Sequence, residues 1–235
     1  MTEAAKGSRP YRLKRFKYNS HYWILKFLSA ARRPLRILDI GAADGYLGAL
    51  LKQQGHYLVG VESDSTLAEK ARGYYDVFHS VDAESFDFPS RGEFDFILLA
   101  DVLEHLKDPA GLLRRALPCL NAGGEIIISL PNIAHLLIRL DLLFGYFQYT
   151  DRGILDRTHL RFFTLASTRR MVQDVGCRIL ELKPTPAPVQ LVCPWTERPV
   201  FATLHEIHFL LVRSWKTLLA YQFVLRVAPD RAMDV

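Results

Sequence analysis

At 235 residues, the chain is long enough for one large α/β domain and too short for two. Its hydrophobic content of 49% and charged content of 23% are typical of a soluble globular protein with a full core. The net charge of +5 is uneven, because residues 1–36 carry a net charge of +9 and the rest of the chain carries −4. Such a basic segment suits nucleic acid, anionic lipid or a phosphorylated substrate, or it docks on the acidic remainder.

The compartment indicated by the sequence is the cytoplasm. The polar, basic beginning of the sequence lacks the apolar stretch of a signal peptide, and no run of about 18 uncharged apolar residues predicts a membrane-spanning helix. The cysteines, Cys119, Cys177 and Cys193, are widely spaced and odd in number, which fits neither a zinc site nor a disulfide framework. We therefore predict a reducing compartment and no metal site.

Residues 1–34 are predicted to form a basic N-terminal arm and a capping helix. Residues 1–17 are expected to be disordered or loosely docked, whereas Tyr18–Ala31 has apolar positions at helical spacing. This helix is expected to end before Pro34, because a proline disfavours helical backbone in the residue before it. Residues 35–235 are then predicted to form a single domain.

Strands and helices alternate through the first part of that domain. Short apolar runs suited to buried strands occur at Leu35–Ile40, Tyr57–Val61, Val77–Val81, Phe94–Ala100 and Glu125–Leu130. Helices are predicted at Tyr46–Gln54, at Ser65–Arg72 and from Asp108 to about Leu120, where residues 121–124 read as a helix stop. This alternation predicts a doubly wound, Rossmann-like parallel sheet.

After the fifth strand the pattern changes, and residues 131–163 are predicted to be an insertion on the substrate side. It consists of an apolar helix, Ile133–Phe144, and a loop rich in Tyr, Asp, Arg and His. Long loops inside compact domains are usually functional. The remaining predicted elements are a helix at Thr164–Val175, a strand at Cys177–Leu182, an extended connector at Pro184–Pro199, a helix that spans Leu204 to Trp215 and a strand at Ala220–Val227.

A glycine-containing turn, residues 39–45, follows the first strand and begins a helix, so its backbone is expected to pass closely under a ligand. Gly41 and Gly45 give this turn its conformational freedom. Asp39 is predicted either to accept a hydrogen bond from an ammonium group or to brace the turn. A nicotinamide-dependent dehydrogenase is excluded, because its Gly-x-Gly-x-x-Gly turn requires glycines where Ala43 and Tyr46 stand.

Acidic residues follow four successive strands, at Asp39, Glu62, Asp82 and Asp101. The carboxyl ends of parallel strands lie at one edge of a sheet, so these carboxylates are expected to lie along that edge. Glu62 is placed to accept hydrogen bonds from both hydroxyls of a ribose, and Asp82 to accept one from the amino group of an adenine. The ordered set is far more specific than any one acid, since single acids often only cap helices.

On these motifs, the chain resembles the class I S-adenosylmethionine (SAM)-dependent methyltransferases from Leu35 to about Val227. The segments that carry the resemblance are residues 39–45, Glu62, Asp82, residues 101–106 and residues 121–131. The resemblance implies a seven-stranded sheet in the order 3-2-1-4-5-7-6 with an antiparallel last strand. It also implies SAM as cofactor, S-adenosylhomocysteine as product, and cofactor contacts from Asp39, Gly41, Ala42, Ala43, Gly45, Glu62, Ser63, Asp82, Ala83, Asp101 and Val102.

Two features refine this resemblance. The family's turn commonly reads Gly-x-Gly-x-Gly, and Ala43 replaces the middle glycine. We expect the methyl group to be tolerated if φ is negative there, and otherwise to shift or weaken the bound cofactor. Residues 155–164 are similar to a bacterial subgroup associated with the methylation of cell-surface polysaccharides or small molecules.

The reaction predicted is methyl transfer to a small-molecule or saccharide acceptor, with oxygen as the favoured atom and nitrogen and carbon left open. Positioning is expected to supply most of the acceleration, with help from a general base. His159 and His105 are the candidate bases, although His105 serves equally as a wall of the cofactor pocket. The candidate substrate contacts are Tyr18, His21, Tyr22, His135, Arg157 and Arg161. Each also has a structural explanation: packing of a helix onto the core for the residues at 18–22, solvent exposure for His135, and an Asp–Arg lock that ties down the loop for the two arginines.

An alternative from another class is a non-catalytic protein on this fold that binds nucleic acid or an anionic surface through the basic arm. The absence of an evident base and Ala43 favour it. A nucleic-acid methyltransferase is disfavoured, because the sequence has no Asn-Pro-Pro-Tyr-like motif. The oligomeric state is not predicted.

Overall fold

The computed structural model describes residues 17–89, 91–189, 196 and 198–230. The predicted arm up to residue 16, Cys193 and the middle of the predicted connector lie outside these residues. Within the described ranges, no helix combines the length and the apolar character needed to cross a bilayer.

The described chain is built around a seven-stranded sheet. Its strands are β1 (Arg36–Ile40), β2 (Tyr57–Glu62), β3 (Val77–Ser80), β4 (Phe94–Ala100), β5 (Leu120–Pro131), β6 (Cys177–Thr185) and β7 (Gln222–Pro229). They lie in the order β3-β2-β1-β4-β5-β7-β6. The first five strands pair in parallel, and β7 is antiparallel to both β5 and β6. This arrangement confirms the predicted fold class, strand order and antiparallel last strand.

Helices cover both faces of the sheet. They are α1 (Ser20–Leu28), α2 (Tyr46–Gln53), α3 (Ser65–Ala71), α4 (Pro109–Ala116), α5 (Leu136–Leu143), α6 (Leu165–Asp174), α7 (Ala202–Ser214) and α8 (Lys216–Leu219). Neighbouring residues of β1 belong to different apolar clusters: Ile37 shares one with Leu51 of α2, and Leu38 shares another with Leu113 of α4. Burial on both faces explains why the strands read as continuous apolar runs.

The predicted start of the fifth strand and the helix stop before it are wrong. α4 ends at Ala116, a 3-10 turn containing Pro118 follows, and β5 already begins at Leu120. The Asn-Ala-Gly-Gly segment lies inside the strand, where the pairing with β4 is irregular and Gly123 has a φ of +91°. An irregular pairing of this kind absorbs extra residues without ending a strand.

The insertion after β5 has a small apolar cluster of its own, formed by Ile138, Ile154 and Leu155. Its helix, α5, begins later than predicted because the N–H of Leu137 donates to Nδ1 of His135, the residue that caps the helix. The insertion thus stands beside the sheet edge at which β4 and β5 end.

Candidate cofactor and acceptor site

The turn after β1 is in direct contact with the end of β4. Gly41 and Gly45 adopt φ values of +79° and +78°. A Cβ atom placed on Gly41 would lie only 2.5 Å from Cγ2 of Val102. A residue with a side chain cannot occupy this position without displacing Val102, so glycine allows the two strand ends to meet. This contact forms the compact turn that the predicted SAM cradle requires.

Ala43 does not have the negative φ under which its methyl group was expected to be tolerated. Its φ is +49°, in the left-handed region that costs a residue with a Cβ about 1–2 kcal/mol. The N–H of Ala43 donates to Oε2 of Glu62 at 2.9 Å, which holds the strained backbone in place. Ala43 therefore keeps a backbone conformation typical of glycine.

Glu62, at the end of β2, connects the parts of the predicted ribose site. One carboxylate oxygen accepts from Ala43, and the other accepts from the N–H of Asp64 at 2.9 Å and faces the Ser63 hydroxyl at 3.4 Å. The side chain is half-buried, so its carboxylate remains accessible to a ligand. The role of Glu62 as acceptor of hydrogen bonds from ribose hydroxyls stays a prediction.

Asp39, by contrast, is buried beneath the turn. Only 2% of its surface is exposed, and its Oδ2 accepts a hydrogen bond of 2.6 Å from the Tyr75 hydroxyl. Burial raises the pKa of Asp39 to about 6, against the opposing effect of Tyr75, and the nearby charge of Glu62 raises it further. Of the two predicted roles, bracing of the turn is the one that these contacts fit.

Replacement of Asp39 with asparagine is expected to remove a pH dependence from the stability of the protein. The folded pKa of about 6 is above the value of an unfolded aspartate. Below about pH 4, Asp39 is protonated in both states and does not lower the free energy of unfolding. As the pH rises from about 4 to about 6, Asp39 lowers the free energy of unfolding progressively, by about 3 kcal/mol in total. Urea unfolding should show that Asp39→Asn becomes more stable relative to the wild type when the pH is raised from 4 to 7. An unchanged difference would contradict this assignment.

Asp82 and Ala83 lie just beyond β3, at the same edge of the sheet. Asp82 is exposed, and its Oδ1 accepts from the N–H of Glu84 at 2.7 Å, while Ala83 is half-buried. Nothing blocks the side chain of Asp82 from solvent, and the predicted contact with adenine remains a prediction.

Asp101, at the end of β4, joins three strands. It has a φ of +58°, and its N–H donates to Oγ of Ser129 on β5 at 3.0 Å. Its Oδ1 accepts from the Ser129 hydroxyl and, at 3.0 Å, from Nε2 of Gln222 on β7. The sequence reasoning missed both partners, although the first residue of an antiparallel last strand falls at this edge and could have been found.

His105 and His159 meet next to Asp101. Their ring centroids lie 4.8 Å apart in an edge-to-face arrangement. His159 is 9% exposed, and its Nδ1 lies 3.1 Å from the carbonyl oxygen of Ile154. Burial and the neighbouring charge of His105 lower the pKa of His159, so its imidazole is neutral at physiological pH. The structure thus brings together the two histidines predicted to act on the acceptor.

The two arginines predicted to bind substrate already have partners in the structure, one within the loop and one outside it. Arg157 forms an ion pair of 2.7 Å with Asp151, and Arg161 donates to the carbonyl oxygen of Lys107 at 2.6 and 3.2 Å. These contacts match the structural alternative, in which arginines tie the loop down. Their role towards a substrate stays a prediction.

The aromatic cluster of α1 packs against other helices. The Tyr18 ring stacks on Phe209 at 3.8 Å, and a hydrogen bond to Glu206 raises the pKa of Tyr18 to about 12. His21 is buried with its ring against Tyr46, the first residue after Gly45, and Tyr22 is half-buried. Of these three residues, His21 is the one that the ring contacts place beside the turn after β1, through Tyr46.

A cavity of about 550 Å³ opens between the insertion and the end of β6. It is lined by His135, Leu137, Ile138, Asp141, Tyr146, Gln148, Thr150, Arg152, Gly153, Ile154, Leu155, Ala187 and Tyr221. Burial raises the pKa of Tyr221 to about 12, so its hydroxyl keeps its proton. Burial lowers the pKa of His135 and favours its neutral form. The volume and lining are typical of a pocket for a small organic molecule.

Comparison with known proteins now adds the family. Residues 11–182 match the family described as "Methyltransferase domain". The chain belongs to this family. With the fold described above, this membership confirms the prediction of a class I SAM-dependent methyltransferase that uses SAM as its cofactor.

Individual relatives within the family are distant. A ubiquinone biosynthesis O-methyltransferase of Aromatoleum aromaticum is 30% identical over 107 residues, 41% of this chain and 44% of that protein. Its counterpart in Aeromonas salmonicida is 26% identical over 63% of this chain and 64% of that protein. The matched segments thus span about half to two thirds of these relatives. A SAM-dependent methyltransferase from Archaeoglobus fulgidus has a TM-score of 0.60 at 18% identity, over 88% of this chain and 91% of that one.

Proposed function

We propose that this methyltransferase transfers the methyl group of SAM to an oxygen of a small-molecule or saccharide acceptor bound in the cavity beside α5. The observation that carries the proposal is the continuity between the cavity and the cofactor edge. Tyr221 lines the cavity, and the next residue, Gln222, donates to Asp101. The relatives named as O-methyltransferases support oxygen as the methylated atom.

SAM supplies an electrophilic methyl group on a sulfonium. In the transfer, the acceptor oxygen forms a bond to the methyl carbon, the carbon–sulfur bond breaks, and its electron pair stays on sulfur. The hydroxyl proton must leave, and the His105–His159 pair, which lies beside Asp101 and includes a His159 imidazole with a lowered pKa, is placed to assist that loss. The cavity walls hold the acceptor, and positioning supplies most of the acceleration.

A screen with radiolabelled SAM against phenols, catechols and reducing or nucleotide-linked sugars tests the reaction. Transfer of label to an oxygen of one of these acceptors is the expected result. Transfer only to amines, or saturable SAM binding without transfer to any acceptor in the screen, would contradict O-methylation of such molecules.

Glu62→Ala is expected to weaken SAM binding by about 10- to 100-fold, because the loss of a hydrogen-bonded carboxylate costs about 1–3 kcal/mol. Isothermal titration calorimetry measures the Kd. Asp64→Ala is the matched control: it removes a carboxylate two residues away that caps α3 through the N–H groups of Thr66 and Leu67. The control should lower stability by about 1 kcal/mol and leave the SAM affinity unchanged. Equal losses of affinity in both variants would argue against a ribose role for Glu62.

A further inference from the structure

Three potential metal ligands converge on the acceptor side of the site. Glu104, His105 and His159 each offer one nitrogen or oxygen atom, and these atoms all lie within 4.8 Å of one another. Glu104 is 1% exposed, and His159 is 9% exposed. Bonds of about 2.1 Å to a common ion require ligand atoms about 3–4 Å apart, so a side-chain shift of less than about 1 Å would close the cluster on an ion.

Hydrogen bonds orient both imidazoles as metal ligands. A carbonyl oxygen can only accept, so Nδ1 of His159 carries the proton that it donates to Ile154 at 3.1 Å. By the same reasoning, Nδ1 of His105 donates to the carbonyl oxygen of Thr158 at 3.2 Å. In the neutral form of either ring, the lone pair is then on Nε2. A carbonyl partner on the far ring nitrogen is the usual support of a metal-binding histidine.

The backbone holds the two ligand-bearing segments together. The N–H groups of Leu160 and Arg161 donate to the carbonyl oxygen of Glu104 at 2.8 and 2.9 Å. The loop that carries His159 is therefore docked on the 3-10 turn that carries Glu104 and His105. Ligands supported in this way need little rearrangement to bind an ion.

The charges near the cluster favour a cation. Asp101 and Asp156 both lie close enough to His159 to interact with it electrostatically, so two further carboxylates stand near the cluster. The two arginines nearest to His159 in sequence both have other partners: Arg157 forms an ion pair with Asp151, and Arg161 is hydrogen-bonded to the carbonyl of Lys107. Two imidazoles and one carboxylate suit a divalent first-row transition ion such as Mn²⁺ or Zn²⁺ better than Mg²⁺.

We infer that Glu104, His105 and His159 bind a divalent transition-metal ion that takes the acceptor oxygen as a further ligand. This inference departs from the sequence-based prediction of no metal site. It deepens the proposed function, on which its catalytic part rests, because an ion held by both imidazoles takes over their part in the loss of the hydroxyl proton. An ion at this position acts as a Lewis acid: it lowers the pKa of the bound hydroxyl, the proton leaves to solvent, and the oxygen attacks as an alkoxide or phenolate.

Calorimetric titration of the EDTA-treated full chain with Mn²⁺ and with Zn²⁺ tests the site without any acceptor. We expect one ion per chain, and at least a tenfold weaker Kd in Glu104→Gln, His105→Ala and His159→Ala. His79→Ala is the matched control, because it removes an exposed histidine on β3, outside the cluster. The SAM affinity of each variant reports whether it has folded. No binding by the wild type, or equal binding by all folded variants, would overturn the inference.

The acceptor screen, repeated with and without the ion, separates the two ideas. Ion-dependent methyl transfer that is lost in Glu104→Gln supports both. Transfer that proceeds equally in EDTA overturns the inference and leaves the proposed function standing. Ion binding at the cluster without any transfer supports the metal site and contradicts the proposed function.

Discussion

Gly41→Ala is expected to weaken SAM binding by more than tenfold and to lower the free energy of unfolding by about 2–5 kcal/mol. The left-handed backbone, with φ of +79°, costs an alanine about 1–2 kcal/mol. The new Cβ atom would also lie 2.5 Å from Val102, a stiff, β-branched side chain, and overpacking of this kind costs about 1–3 kcal/mol. Calorimetry with SAM and urea unfolding measure the two losses.

Gly55 provides a matched control. It has a φ of +83°, but no atom lies within 4 Å of the position of its Cβ. Gly55→Ala therefore carries the backbone cost alone and should leave the SAM affinity unchanged. The double variant Gly41→Ala, Val102→Ala should recover part of the lost affinity, because it removes the clash. If Gly41→Ala were no worse than Gly55→Ala, the contact between the ends of β1 and β4 would not matter for binding.

Asp95→Ala is expected to lower the free energy of unfolding by about 3 kcal/mol and to leave the SAM affinity within about twofold. Asp95 lies on β4, near the end of the strand opposite the cofactor edge. It is 7% exposed and accepts from Arg33, from the N–H of Arg36 and from Asn121. Alanine would leave these donors without their acceptor. Most of the loss should come from Arg36 and Asn121, because Arg33 is largely exposed to solvent.

The pH dependence of this loss provides a second check. Burial by itself raises the pKa of Asp95, but the hydrogen bonds from Arg33, Arg36 and Asn121 hold it below its ordinary value. Its contribution is therefore present above the pKa of an unfolded aspartate and disappears as the pH falls through the lower folded value. The difference between Asp95→Ala and the wild type in urea unfolding should shrink below about pH 4. A difference that grows in acid would contradict this account.

The cofactor side could be predicted largely from the sequence, because it depends on local patterns. A strand followed by a glycine turn, with an acid at the end of the next strand, already places Gly41 and Glu62 at one edge of the sheet. Conformation was less accessible than position. The φ of Ala43 follows from its hydrogen bond to Glu62, and the buried state of Asp39 follows from Tyr75, a partner 36 residues away in sequence. Such distant partners leave no periodic signal in a single sequence.

The acceptor side could be predicted only as a set of candidate residues. His105 and His159 were both singled out, but their meeting depends on how the loop after α5 docks on the turn at Glu104. The role of Glu104 was hidden because an acid beside a histidine in a 3-10 turn has no characteristic spacing. Likewise, the exposed Arg157 looks equally suited to a substrate and to Asp151, and only the structure brings it to Asp151.

The position of β7 also affects the order in which the parts of the sheet fold during synthesis. β6 has no partner other than β7 among the described strands, and β5 has no second partner without it. The ribosome therefore releases β1 to β5, which can pair at once, well before the strand that joins β6 to them. Gln222, the first residue of β7, brings the hydrogen bond to Asp101. A nascent chain can thus form the cofactor side early, while the acceptor side is completed only after β7 has been inserted.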